Sequence, residues 1–241
     1  MRDASFPPLL SGYPVAGESD PLDAAIAQAA LGCDAGLVVY NLGASELRAS
    51  IIFAPEVPLE DAMAMLPACG IGFQNALGAL APPEVAVHLD WAGGIKINGA
   101  SCGHLRAISS TADPAQVPDW LVIGLELPLW PASDGPASDR PGHTPEQTAL
   151  YAEGCADVDA KALLESWARH TLVWINRWSG EGTGPLHNEW RGLVPGIGEE
   201  ANQGELSGTF LGVDERFGML LRDQNGTTHL IPLSSQLEAT P

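Results

Sequence analysis

Val87-His88-Leu89-Asp90-Trp91-Ala92-Gly93-Gly94-Ile95-Lys96-Ile97-Asn98-Gly99-Ala100-Ser101-Cys102-Gly103-His104-Leu105 is the stretch whose reading decides the fold. It reads as strand, turn, strand, Asn-Gly turn, strand. Asn98-Gly99 is a favoured two-residue hairpin turn, and the flanking apolar residues alternate with polar ones as in half-buried strands.

Upstream of this hairpin, Asp20-Pro21 followed by Leu22, Ala25, Ile26, Ala29 and Ala30 and ending at Gly32 has the cap, the first-turn proline and the periodicity of a helix. Gly36–Tyr40 and Arg48–Ala54 read as strands. Pro58–Leu80 carries a helical pattern that Pro67 should kink or divide, and Pro82-Pro83 ends it. Downstream, Trp120–Leu127 is apolar enough to be a central strand, and Pro128 to about Glu153 reads as loop. Asp157–Trp178 is the clearest helix, with Trp167, Trp174 and Trp178 at helical spacing, read as a core stripe before a ligand box. Gly180–Gly198 reads as a Gly-rich connection. The tail changes character: Gly204–Leu211, Gly218–Arg222 and Thr227–Pro232 are short strands around Asp214-Glu215 and Asn225-Gly226 turns, the pattern of a small barrel. A boundary is expected near residue 199, giving domains 1–198 and 199–241, and no internal repeat is visible.

Composition narrows the function classes. With 241 residues, 45% hydrophobic and 17% charged, the chain can build one large domain with a small appendage. Its apolar runs are far shorter than the ~20 residues of a membrane-spanning helix. Met1–Pro8 lacks a charged start followed by an apolar core, so no export signal is expected and the cytoplasm is the default location. Cys33, Cys69, Cys102 and Cys155 lack metal-ligand spacing and are expected as buried thiols. A formal charge of −19, with Lys96 and Lys161 the only lysines, disfavours nucleic acid and anionic membrane as partners.

The order helix, strand, strand, helix, Trp-containing hairpin, Val-Ile-Gly strand, long helix and small β tail resembles the biotin/lipoate protein ligase family over most of the chain. Asp90-Trp91-Ala92-Gly93-Gly94-Ile95 is similar to the family's Lys-Trp-Pro-Asn-Asp-Leu, and Asn98–Gly103 to its Asn-Gly-Lys-Lys turn one residue shorter. Leu121-Val122-Ile123-Gly124 matches an Ile-Val-Ile-Gly strand, and Pro185-Leu186 through Glu189-Trp190 a Pro-Leu…Glu-Trp element. Gly208–Leu221 is similar to the small C-terminal barrel of biotin protein ligases. The resemblance implies an α+β fold, a mixed β-sheet flanked by helices with a small C-terminal SH3-like β-barrel. It also implies ATP with biotin or lipoate as cofactors, and a biotinyl or lipoyl carrier protein and a small carboxylic acid as partners.

Chemistry of that kind must neutralise a triphosphate and then an acyl-adenylate. The Gly-Arg-Gly-Arg loop of the family corresponds here to Asn41–Arg48, which is short and holds one arginine. The family lysine falls at Ala100 or Ser101, its acidic residue at Gly94 and a later asparagine near Pro128. By this correspondence the pocket residues are Trp91, Gly93, Gly94, Asn98, Gly99, Ser101, Cys102, Gly103, His104 and Gly124. Lys96 is the candidate catalytic cation, the alternative being a solvent-facing strand residue. His88 and His104 are either packed residues or pocket acid-bases. Cys102, or Cys69 in Pro67-Ala68-Cys69-Gly70, is either a buried thiol or an acyl-accepting nucleophile. Two functions stay open: a divergent ligase or acyltransferase, and a non-catalytic relative that binds a small acid or a protein. A DNA-binding regulator is disfavoured by the charge and by the lack of an N-terminal helix-turn-helix pattern.

Overall fold

The computed structural model describes residues 4–131 and 146–239. Strands β1 (Ser11–Pro14), β2 (Leu37–Leu42), β3 (Glu46–Phe53), β4 (Val87–Leu89), β5 (Gly94–Ile97), β6 (Ala100–Ser109) and β7 (Leu121–Pro128) form one sheet. Its order is β1-β2-β3-β7-β6-β5-β4, with β1 and β2 parallel and the remaining neighbours antiparallel. The quoted hairpin is β4, β5 and the start of β6, at one edge of this sheet.

Helix α1 (Pro21–Ala30) covers one face. The Asp20 carboxylate accepts from the Leu22 amide at 2.9 Å and Pro21 opens the helix, so the local signal and the structure coincide. Leu22, Ala25, Ile26 and Ala29 pack on Val39, Ile52, Val122 and Ile108, one residue from each of four strands. The opposite face carries the larger core under α3 (Met65–Gly78) and α4 (Ala160–Glu181). Period-two alternation sorts each strand between the layers, as in β7, where Leu121, Ile123, Leu125 and Leu127 enter the large core and Val122 the small one.

The break expected at Pro67 lies earlier. A short helix α2 (Leu59–Ala62) ends at Met63, and α3 starts at Met65, so Pro67 is its third residue. The first amides of a helix have no intrahelical partner, so proline costs little there. Gly72 brings α3 and α4 together: a Cβ there would lie 2.4 Å from Thr171 Oγ1. Trp167, fully buried on α4, donates its indole N–H to the Cys69 carbonyl at 3.0 Å, and Trp174 donates to Asn75 Oδ1 at 2.8 Å. The tryptophan stripe is core.

Gly180–Gly198 is not simply a connection. Helix α4 runs through Gly180, Gly182 turns the chain at φ +78°, and α5 (Thr183–Arg191) follows. Leu186 and Trp190, one helical turn apart, are both buried, and this pair outweighs the glycine content. Strand β1 carries no sequence signal because all of Ser11–Pro14 is exposed. Between Pro128 and the 3-10 turn at Leu150–Glu153, residues 132–145 of the expected loop lie outside the described residues.

The tail forms a separate antiparallel meander of β8 (Glu200–Gln203), β9 (Leu206–Val213), β10 (Met219–Arg222) and β11 (Thr228–Ile231), in the order β11-β10-β9-β8. Several contacts fasten it to the larger unit. Trp91 donates its indole N–H to the Phe217 carbonyl at 2.7 Å. Arg216 pairs with Glu60 and Asp61 of α2, each at 2.9 Å. After a 3-10 turn at Leu233–Gln236, Leu237 bridges to Ala107 of β6, and the Glu238 amide donates to the Ala107 carbonyl at 3.0 Å.

Candidate functional site

Three central strands carry polar residues two apart on the side facing α1: Arg48 and Ser50 on β3, Gly124 and Glu126 on β7, His104 and Arg106 on β6. The register aligns them. Ser50 pairs with Gly124 and Gly124 with Arg106, giving one row across the strands. Arg48 pairs with Glu126 and Glu126 with His104, giving a second row that Asn41 of β2 and Gly94 of β5 extend. The neighbouring row, Ile52, Val122 and Ile108, is apolar and lies beneath α1. The floor therefore grades from an apolar row, to one with a hydroxyl and a guanidinium, to one that carries Arg48, Glu126 and His104, approaching the start of α1.

Asp20, Pro21, Leu22, Arg48, Ser50, Arg106, Gly124 and Glu126 enclose a narrow recess here, with about 10 Å³ open to the centre of a water-sized sphere. That is room for roughly one water or one carboxylate oxygen. Gly124 makes the space, since a Cβ there would lie 3.2 Å from Leu22 Cδ1 and 3.4 Å from Ser50 Oγ. Asn41 fixes the loop before α1 by donating to the carbonyls of Gly17 at 3.0 Å and Ser19 at 3.4 Å.

The electrostatics are unusual for a packed layer. Arg106 makes a forked pair with Glu238, Nε lying 2.8 Å from both carboxylate oxygens and Nη2 2.5 Å from Oε2. The Arg106 guanidinium holds the Glu238 carboxyl below the usual carboxylate range, and Glu238 in turn raises Arg106. Arg48 Nε lies 3.0 Å from Glu46 Oε1, but the approach is not aligned for a hydrogen bond. Ser50 is 1% exposed and its hydroxyl has no partner among the described residues. An unsatisfied buried hydroxyl costs about 1–3 kcal/mol.

The residues expected from the hairpin fall elsewhere. Lys96 is half-buried, its ammonium 3.4 Å from Asp90 Oδ1, in an open cleft of about 320 Å³ between the hairpin and β8, with Trp91, Glu199, Glu200 and Phe210 on its walls. Trp91 is 5% exposed and is committed to Phe217. Asn98 and Gly99 have φ +52° and +91°, as the turn demands, and the Asn98 side chain accepts from the Ala86 amide and donates to Glu153. Gly93 packs against the Leu105 carbonyl, while Gly94 packs on Asp90. Gly103, at φ +121°, admits the Glu126 carbonyl 2.3 Å from where a Cβ would stand.

Ser101 is exposed, and its amide donates to the Glu146 carbonyl. Cys102 is wholly buried in the large core because the ladder shifts between Gly94 and Lys96, and burial with nearby Glu153 and Cys155 pushes its thiol up to about 12. A thiol so protonated is a poor nucleophile, so the acyl-accepting alternative loses its support. Of the sequence candidates, Gly94, His104 and Gly124 stand on the two polar rows. Arg48 was noted as the one arginine of the Asn41–Arg48 link, whereas Ser50, Arg106 and Glu126 escaped the sequence reading, although polar residues two apart were a usable signal.

Among the described residues no cluster of three or more His, Cys, Asp or Glu could hold a metal ion, and no helix is long and apolar enough to cross a membrane. The sequence over residues 6–192 matches the biotin/lipoate A/B protein ligase family, and residues 197–239 match a domain of unknown function. The chain belongs to the biotin/lipoate A/B protein ligase family.

Solved structures agree with that membership. A biotin protein ligase-like protein of unknown function from Silicibacter sp. TM1040 is 62% identical, with TM-score 0.92, over 98% of this chain and all of the other. Apo biotin protein ligase from Aquifex aeolicus shares the fold at TM-score 0.71 and 16% identity, covering 94% of this chain and 96% of that one. The Leishmania major ligase in complex with biotinyl-5-AMP gives TM-score 0.55 at 16% identity, covering 93% and 99%. No curated protein matches the sequence significantly. Within the family, this chain joins β2 to β3 through the short Gly43-Ala44-Ser45 link and places no lysine at 100 or 101.

Proposed function

We propose that this member of the biotin/lipoate ligase family binds a small carboxylic acid in the recess between α1 and the sheet, and does not activate it. The buried Ser50 hydroxyl without a partner, in register with Gly124 and Arg106, carries the reading. A carboxylate there would take a hydrogen bond from Ser50 and a charge-assisted one from Arg106 or Arg48. Activation would call for cations around an adenylate, and here each guanidinium already faces a carboxylate.

Ser50→Ala provides the test, because a binding role and a structural role move stability in opposite directions. Removing an unsatisfied buried hydroxyl should leave the free protein unchanged or more stable by up to about 1 kcal/mol, whereas the loss of one hydrogen bond to a charged ligand, about 1.5–3 kcal/mol, should weaken acid binding roughly tenfold or more. Titration calorimetry with octanoate, lipoate and biotin, alongside thermal unfolding, measures both. A destabilised variant with unaltered binding would contradict the reading.

The open cleft supports a second reading, a divergent ligase or acyltransferase that modifies a lysine of a biotinyl or lipoyl carrier domain, with Lys96 as its cation. Lys96 lines the largest of these spaces together with Trp91. On this reading, ATP-dependent labelling of a carrier by biotin, lipoate or octanoate occurs in the native protein and falls at least a hundredfold in Lys96→Ala. Absence of labelling with all three acids leaves the binding function alone.

A further inference from the structure

We propose that the segment Leu237–Glu238 is a strap that occupies Arg106 at the wall of the recess, with the Glu238 carboxylate acting as an internal competitor for its guanidinium. The proposal rests on the acid-binding reading and adds its regulation. Three observations lead to it. First, the forked geometry between Arg106 and Glu238 is the one an incoming carboxylate would adopt, and it spans 132 residues of sequence to join the small sheet's tail to a central strand. Second, four carboxylates face two guanidiniums around the recess: Asp20 and Glu126 line it, and Glu46 and Glu238 pair with Arg48 and Arg106. The arrangement is net negative, so an entering anion is disfavoured, and less so once one carboxylate withdraws. Third, the recess has room for about one water, so any larger acid must displace something.

Glu238 is the group free to move. Asp20 caps α1, Glu126 lies within a central strand flanked by β3 and β6, and Glu46 begins β3. Glu238 follows the 3-10 turn at Leu233–Gln236, and among the described residues its backbone is held by one bridge beside Ala107. That bridge uses the part of β6 beyond its pairing with β5, an edge otherwise open for a strand to join and leave. Leu237 rests against the core and keeps the strap close while the carboxylate swings out.

Full-length Glu238→Gln separates the strap from a merely structural ion pair. Amide for carboxylate keeps the size and removes the competing charge, so octanoate, lipoate or biotin should bind at least fivefold more tightly than to the native protein by titration calorimetry. Hydrogen exchange on the native chain provides a second measurement that needs no variant: saturating acid should lower protection of the Glu238 amide and of residues around Ala107. Equal or weaker binding in Glu238→Gln, or a tail equally protected with and without acid, overturns the strap and leaves the recess reading standing. Binding of none of the three acids to either protein overturns both.

Discussion

Replacing Trp167 by alanine is expected to lower the stability of the fold by about 3–5 kcal/mol, the usual cost of emptying a large aromatic position in a core. The side chain is fully buried, and its indole N–H satisfies the Cys69 carbonyl of α3. Collapse around the gap is restricted because Gly72 and Thr171 already bring α3 and α4 into contact, leaving little freedom for one helix to shift toward the other. A total stability in the usual range of about 5–15 kcal/mol would lose a large fraction of itself. Urea unfolding followed by circular dichroism measures the effect. A loss below about 1 kcal/mol would mean that α4 repacks and is not the pillar the geometry indicates.

Alkylation of the native protein at pH 8 should leave Cys102 unmodified while Cys33 reacts. Cys102 is wholly buried with its thiol pushed up to about 12, roughly a thousandfold less thiolate than an ordinary cysteine offers, and Cys33 is partly exposed. Cys69 and Cys155 are also buried and also raised, in both by burial first. The same shifts set an alkaline limit on the fold. In the unfolded chain these thiols ionise near their ordinary value, while in the folded chain they keep their protons to higher pH. Their stabilising contribution is therefore complete below about pH 9 and declines as pH rises from there toward 12. Mass spectrometry after timed iodoacetamide treatment, with and without urea, separates the classes. Rapid native modification of Cys102 would restore it as a candidate nucleophile.

Legibility differed by residue. The cap and first turn at Asp20-Pro21, the Asn98-Gly99 turn and the tryptophan periodicity of α4 depend on neighbours a few positions apart, and each has the structure its local sequence implies. Strand β1 and helix α5 were not readable in the same way. One is exposed throughout and exists because β2 offers an edge, and the other follows a glycine that reads equally well as loop.

The hairpin led to the family, and most of its residues lie away from the recess beneath α1. Trp91, Gly93, Asn98 and Gly103 are explained by a buried hydrogen bond, tight turns and a close strand approach. In contrast, Ser50, Gly124 and Arg106 are far apart in the chain and become one row only through the β3-β7-β6 register.

Sequence alone therefore determined the α+β class, the family, and the absence of the lysine that the family's chemistry would place at Ala100 or Ser101, because these depend on local spacing and residue identity. Only the tertiary structure decided which polar residues share a face and that Glu238 reaches back to Arg106. Those outcomes depend on strand register and on where the chain's last segment docks, and each joins residues whose sequence neighbourhoods carry no record of one another.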